Sequence, residues 1–325
     1  VKVRPYAQKA GTVRQIGYRH QRTLAAPAVV NGTGFVTGAH ARVRFCPAPA
    51  DTGLVFVRTD LPYRPLTPAR PDRVTSTTRR TTLGTVETGV TLVEHVLAAL
   101  AGLRIDNCVI ELDAAEPPGL DGSAAGFVEA LADAGVVLQS ARRPIWTPVA
   151  PVVASHGGAT ITLHPAVGGD CGLRASYILD YGHRAAIPRQ AYTLAISPET
   201  FARDVAGCRT FLLDHEAREL RRMGVGRHLT AAEVLVFGPG GVIGNRLRHA
   251  DEPARHKVLD IVGDLALSGF DIAGHLVAYR SGHALNVALA GKLAAAAVDA
   301  DTDDRDVILP ARGFLPPRRV IQRAA

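Results

Sequence analysis

The sequence predicts a mixed strand-and-helix protein built from two domains. Three observations carry that expectation. The chain has 325 residues, more than the roughly 100–150 of a usual single domain. Both halves carry the same mixture of alternating strand-like stretches and capped, helix-like ones. An internal echo links "HVLAALAG" at 95–102 to "HALNVALAG" at 283–291, as two related halves would leave. With 47% hydrophobic and 21% charged residues, each half has material enough for a core.

The elements follow from local signals. Residues 1–20 read as a basic N-terminal extension. Thr91-x-x-Glu94 has the form of a capping box and Gly102 suits the position after a helix, so residues 92–101 are expected as a short helix. "RIDNCVIEL" (104–112) alternates as a strand. "LDGSAAGFVEALADAG" (120–135) offers Asp or Ser to cap a second helix, closed by Gly135. "SARRPIWTPVAP" (140–151) is proline-rich, breaks any helix and marks the domain boundary, giving domains of 21–141 and 142–325. Beyond it, strands are expected near 158–164, 173–180 and 190–196. Helices are expected at about 212–223 and 252–267, the latter capped by Asp251 with Pro253 in its first turn.

Composition narrows the function classes. No run approaches the roughly 18 apolar residues of a transmembrane helix, and the N-terminus lacks the compact apolar stretch of a secretory signal. Cys46, Cys108, Cys171 and Cys208 form no CxxC and no zinc-finger spacing, which points to a reducing cytosol. The net charge is +7, and residues 1–50 hold eight Lys or Arg with no Asp or Glu. That is either a solvated basic face or attraction to a polyanion. With only 5% aromatic residues and no RNA-binding motif, a nucleic-acid module is disfavoured.

Chemistry concentrates in a few segments. In "DEPARHKVLDIVGDLALSG" (251–269), helical spacing puts Val258, Ile261, Val262 and Leu265 on one face and His256, Asp260 and Asp264 nearly opposite. His256 and Asp260, at i and i+4, can present a ring nitrogen and a carboxylate oxygen to one point, as metal ligands do. An exposed pair on a solvated face has the same spacing. Glu94 and His95 sit side by side at the head of an apolar helix, where charged groups are seldom buried unpaired. His95 can supply a third ligand, leaving Glu94 as a general base. Equally, Glu94 can be satisfied by capping the Thr91 N–H, and His95 by a hydrogen bond in the core. His283 follows Gly282 at an expected strand-to-helix turn, the edge of a cleft. "CRTF" (208–211) sets Thr210 and Phe211 just before a helix.

Taken in order, "QRTL" (21–24), "GTGFVTG", "PAPADTGLVFVRTDL", "VEHVLAALAGLRIDN", "EPPGLDGSAAGFVEAL", "CRTF", "RHKVLDIVGDLAL" and "SGHALN" resemble one family. It is the zinc-dependent UDP-3-O-acyl-N-acetylglucosamine deacetylase of lipid A synthesis, and the resemblance runs from residue 21 to about 295. It implies an α+β fold of two similar domains, each a sheet layered with helices, with the active site between them. Each domain would carry an inserted element, the second a βαβ piece that includes 190–240 and forms an acyl passage. His95, His256 and Asp260 would hold Zn2+, and Fe2+ suits the same ligands. Glu94 would activate water. His283, oriented by Asp264, would act as the cation that stabilises the oxyanion or protonates the leaving amine. Thr210 would hydrogen-bond the carbonyl oxygen, Phe211 line the acyl passage and Lys257 face the substrate's phosphates.

The resemblance further implies an acylated UDP-sugar as substrate and no nucleic-acid partner. It implies a cytoplasmic monomer with at most peripheral association with the inner membrane surface. Three departures bear on substrate detail: Val36 stands where the family has histidine, "VGRHLTAAEVLVF" (225–237) replaces a glycine-rich stretch, and Arg280 replaces lysine before "SGH". The rival readings are an inert relative that binds a nucleotide sugar or lipid, and a deacetylase of another N-acyl sugar.

Overall fold

A computed structural model of the protein describes residues 13–183 and 185–298. Residues 1–12, part of the expected N-terminal extension, and 299–325, the end of the second expected domain, lie outside the described residues. Two five-stranded sheets share one plan. The first has the order Ala28–Thr33, His40–Pro47, Cys108–Leu112, Leu54–Arg58, Leu66–Pro68. The second has the order Val152–His156, Ala159–His164, Gly274–Tyr279, Leu173–Leu179, Gln190–Ala195. In each, the last strand in sequence lies in the middle, antiparallel to the second strand and parallel to the third.

Helices flank each central strand in sequence. In the first half these are α1 (Glu94–Gly102) and α2 (Ala125–Ala134). The second half carries α3 (Pro198–Asp204) and α4 (Asp214–Arg222), then α5 (Glu252–Leu265) and α6 (His283–Val298) around its central strand. The fold is therefore α+β in two similar halves, as expected, with one large apolar core spanning both and a small separate cluster in the second half around Ala217, Val234 and Val236. The sequence echo, however, joined the wrong helices. Strand order makes α1 equivalent to α5 and α2 to α6, whereas the echo runs from α1 to α6. Two buried, alanine-rich helices resemble each other whatever their place in the repeat.

An insert precedes α1 and another precedes α5. The first is a small sheet of Val74–Ser76, Thr82–Leu83 and Val90–Thr91. The second holds Phe211–Leu213, α4 and Leu235–Gly238, whose two strands are parallel, a βαβ unit, with Gly241–Val242 added antiparallel as a third strand. The strand Gln190–Ala195 belongs to the large sheet, so this unit occupies only the later part of the expected 190–240.

The proline-rich segment expected to separate the halves instead joins them. Prolines exclude a helix but tolerate extended chain, and Val136–Pro148 pairs antiparallel with Val13–Leu24 along nearly its whole length. Residues 13–20, expected in the extension, belong to this ribbon. So does Arg19, whose guanidinium is buried between Asp106 of the first half (Nη1–Oδ2 2.6 Å) and Asp271 of the second (Nε–Oδ2 2.6 Å). Arg22 is buried as well. The basic start of the chain is thus partly internal structure, and not wholly a solvated face.

Several expected caps are absent. Thr91 donates its N–H to Ala115, and its hydroxyl meets Arg80 and Thr82, so it does not cap α1, which starts at Glu94. Gly102 ends α1 from within, because a Cβ there would lie 2.3 Å from the Phe201 ring. Asp251 pairs with Arg255 at 2.7 Å rather than capping α5. Asp121 and Ser123 bond each other ahead of α2, whose cap is Ala124.

The two halves meet where α1 crosses α5. Gly263 makes this approach possible, since a Cβ there would lie 2.1 Å from the Glu94 carbonyl oxygen, a backbone atom that cannot swing aside. Gly263→Ala should therefore lose stability despite alanine's higher helix propensity. Overpacking of about 1–3 kcal/mol should lower Tm by several degrees in a thermal melt; an unchanged or raised Tm would show that the helices can part without cost.

Candidate active site

The crossing brings the first turn of α1 and the middle of α5 to one cavity of about 640 Å³. His95, His256 and Asp260 offer ligand atoms that all lie within 4.8 Å of one another. Asp260 Oδ1 is 3.4 Å from His256 Nε2 and 3.8 Å from His95 Nε2. His256 and Asp260 are each only 2% exposed, which removes the alternative of a pair on a solvated face. His256 Nδ1 sits 2.9 Å from the Cys208 carbonyl oxygen. A carbonyl only accepts, so Nδ1 carries the hydrogen and Nε2 keeps its lone pair towards the cavity.

Protonation states fit a metal site. Burial, aided by His256, pushes His95 down to about 3, and burial likewise lowers His256. Both rings are therefore neutral, as ligands must be. Burial works to raise the Asp260 carboxyl, but the Lys257 charge outweighs it and holds it well below the usual carboxylate range. Lys257 Nζ occupies the other oxygen, Oδ2, at 2.8 Å. Two imidazole nitrogens and one carboxylate oxygen are a donor set that suits a tetrahedral ion with one open position.

Beside this group stand a buried carboxyl and an imidazole. Glu94 is buried, and its Oε2 accepts the N–H of Thr81 at 3.0 Å, so the partner expected from the capping pattern is replaced by one from the first insert. Its Oε1 lies 4.0 Å from His283 Nε2. His283 opens α6 and holds Asp264 Oδ2 through Nδ1 at 2.9 Å. Asp264 also accepts the Thr81 hydroxyl (2.6 Å) and the Asn286 amide (2.9 Å). Burial lifts the Glu94 carboxyl to about 7 although the His283 charge opposes it. Burial alone would lower His283, but Asp264 and then Asp260 reverse that and raise it to about 10.

The remaining candidates line the same cavity. Thr210 is pinned on both sides: its N–H donates to Gly122 and its carbonyl accepts from Leu235. Gly122, at φ +82°, admits this approach, since a Cβ would meet the Glu233 carbonyl at 2.2 Å. Phe211 packs edge-on against Tyr181, Phe237 and His256, with centroids 6.1–6.3 Å apart. Lys257 Nζ lies 5.3 Å from the Phe211 ring centroid.

Sequence reasoning missed Thr81 and Asn286. Asn286 stands three residues after His283 in "HALN", a helical neighbour that spacing could have flagged. Thr81 left no local signal. Among the departures, Val36 contributes its backbone N–H to the buried Glu116 at 2.9 Å, a contact indifferent to the side chain. Arg280 donates Nε to the Asp180 carbonyl at 2.6 Å on the cavity wall. In the altered segment, His228 Nε2 donates to the Gly34 carbonyl at 2.8 Å, tying the second insert to the first half.

Comparison with known proteins gives the chain's family. Residues 21–295 match LpxC, the UDP-3-O-acyl N-acetylglycosamine deacetylase family. The chain belongs to the LpxC family. A UDP-3-O-acyl-N-acetylglucosamine deacetylase of Trichormus variabilis is 39% identical over 280 residues, covering 85% of this chain and 98% of its own length. One from an Anaeromyxobacter species is 39% identical over 279 residues, 86% of this chain and 90% of its own. One from Myxococcus xanthus is 38% identical over 280 residues, 84% and 86% respectively. LpxC enzymes are metal-dependent, and His95, His256 and Asp260 form a group in this member able to hold an ion.

Purified protein should accordingly carry about one divalent metal per chain, since three ligands from one cluster make a single site. Elemental analysis of His95→Ala and Asp260→Ala should find occupancy well below wild type. Full retention in both variants would sink the site.

Proposed function

We propose that this cavity hydrolyses the N-acetyl group of UDP-3-O-acyl-N-acetylglucosamine, releasing acetate and UDP-3-O-acyl-glucosamine in lipid A synthesis. The observation that carries the reading is the meeting of a His–His–Asp cluster with a buried carboxylate and a carboxylate-held imidazole on one cavity wall, in a chain of the LpxC family. His95, His256 and Asp260 would hold Zn2+, or Fe2+ in its place, and that ion would supply Lewis acidity towards the acyl oxygen and towards water, whose pKa such an ion lowers to about 7.

The chain's own residues do the rest. Glu94 takes the proton of the attacking water, a task for which a carboxyl lifted towards neutrality is suited. His283, kept cationic by Asp264, faces the developing oxyanion or gives its proton to the departing nitrogen, without which the amine leaves poorly. The Thr210 hydroxyl donates to the carbonyl oxygen. Phe211, packed edge-on against Tyr181 and Phe237, lines the way for the acyl chain. Lys257 has three donors and spends one on Asp260, leaving two for the phosphates.

The same reading carries a monomeric, cytoplasmic enzyme with at most peripheral contact with the inner membrane. No helix among the described residues is long and apolar enough to cross a membrane.

The direct test is a deacetylase assay on the acylated UDP-sugar, with and without a chelator and with zinc restored. Activity lost on chelation and regained with zinc supports the reading; an inert metal-loaded protein overturns it. Glu94→Gln keeps an oxygen for the Thr81 N–H but cannot take a proton. It should keep Tm and metal content while kcat falls about 10²-fold or more; near-wild-type turnover would leave Glu94 with a structural role alone.

The pH profile tests His283. It works protonated, so kcat/KM should fall on the alkaline side as pH rises through a pKa that Asp264 holds up to about 10. Asp264→Asn removes the largest influence raising that pKa, and the alkaline limb should move to lower pH. A limb unmoved in Asp264→Asn would place the acid elsewhere.

A further inference from the structure

We infer that Thr81 is a positioning residue that sets Glu94 and the Asp264–His283 pair in register, so that its hydroxyl is needed for full turnover although it touches no reacting atom. The inference rests on the deacetylase reading and deepens it.

Thr81 lies between the insert strands Val74–Ser76 and Thr82–Leu83 and is fully buried. Each of its polar atoms serves the active-site walls. Its N–H donates to Glu94 Oε2 at 3.0 Å, its hydroxyl donates to Asp264 Oδ1 at 2.6 Å, and its carbonyl accepts the Val93 N–H at 3.4 Å. One residue therefore binds the working carboxylate of α1 and the orienting carboxylate of α5.

The geometry gives this contact a direction. A carboxylate is planar, so fixing Oδ1 of Asp264 fixes where Oδ2 points, and Oδ2 is the oxygen that holds His283 Nδ1. The ring is thereby turned to set Nε2 towards Glu94. On the other side, holding Glu94 Oε2 leaves Oε1 as the oxygen that faces His283. Without the hydroxyl, Asp264 Oδ1 is a carboxyl oxygen in a fully buried residue with no remaining side-chain donor of its own, and the carboxyl group is free to rotate towards another partner. Just upstream, Thr77 and Arg79 line the cavity, so the loop that meets the substrate ends on the residue that aligns the acid and the base.

The test compares Thr81→Val, which keeps the shape and the N–H, with Thr81→Ser, which keeps the hydroxyl. Thr81→Ala serves as a second hydroxyl-free variant of lower bulk should the valine enzyme fold poorly. Kinetics are measured beside wild type: an inactive wild type counts against the deacetylase reading, whereas an active one makes the variants informative about Thr81. The expected result is a kcat lower by roughly 10- to 100-fold in Thr81→Val, the worth of one hydrogen bond to a buried charge. KM should change little, and Thr81→Ser should stay within about threefold of wild type.

Because the hydroxyl acts through Asp264, adding Thr81→Val to Asp264→Asn should cost less than about twofold more, whereas independent effects multiply. A hydroxyl-free variant with wild-type kcat, or losses that multiply in the double variant, would overturn the inference.

Discussion

The contact on which the rest depends is the crossing of α1 and α5 at Gly263. Helix backbones usually keep side chains between them, yet here the Glu94 carbonyl comes so near that only hydrogen fits opposite it. That closeness sets the reach of every group in the site. His95 on α1 and His256 with Asp260 on α5 meet across it, and neither helix alone holds the ligand set. The short distance also places Glu94 and Asp264 near enough for one threonine from an insert to bind both.

So many polar groups in a core should be costly, since a buried charge left unpaired loses its hydration without return. The site avoids this by pairing. Asp264 has three donors, Asp260 has the Lys257 ammonium, and Glu94 has the Thr81 N–H with His283 nearby. Far from the cavity, Arg19 follows the same rule between Asp106 and Asp271. The Thr81–Asp264, Glu94–His283 and Arg19 contacts cross between the halves, so polar groups in the site and outside it help fix how the halves meet.

How much of this was legible in the sequence depended on range. The His256–Asp260 pair was readable because both residues lie on one helix and its spacing is geometric. Placing His95 and His283 beside it took the ordered set of family motifs, because no local rule brings residues 95, 256 and 283 together. Caps failed where tertiary partners intervened: Thr91 and Glu94 have the capping-box spacing, but Ala115 and Thr81 claimed their groups. Thr81 was invisible because its role rests on a contact with Asp264, 183 residues away. The prolines of 140–151 ruled out a helix correctly, but could not say whether the extended chain would be a linker or a strand. The repeat was real, yet the echo that announced it matched non-equivalent helices.

The position of the last strand in each sheet has a consequence for how the chain reaches this state. Both large sheets place their final strand, Cys108–Leu112 or Gly274–Tyr279, between two hairpins made earlier in sequence. Until that strand arrives, the inner edges of the hairpins face each other with unpaired backbone groups. On a ribosome, the second pair of hairpins must wait through the whole insert and α5 before its keystone is synthesised. Such long-range parallel pairing is slow to form and leaves edges open to other chains. The time between translation of residue 195 and residue 279 is therefore the interval in which this protein is most exposed to misassembly.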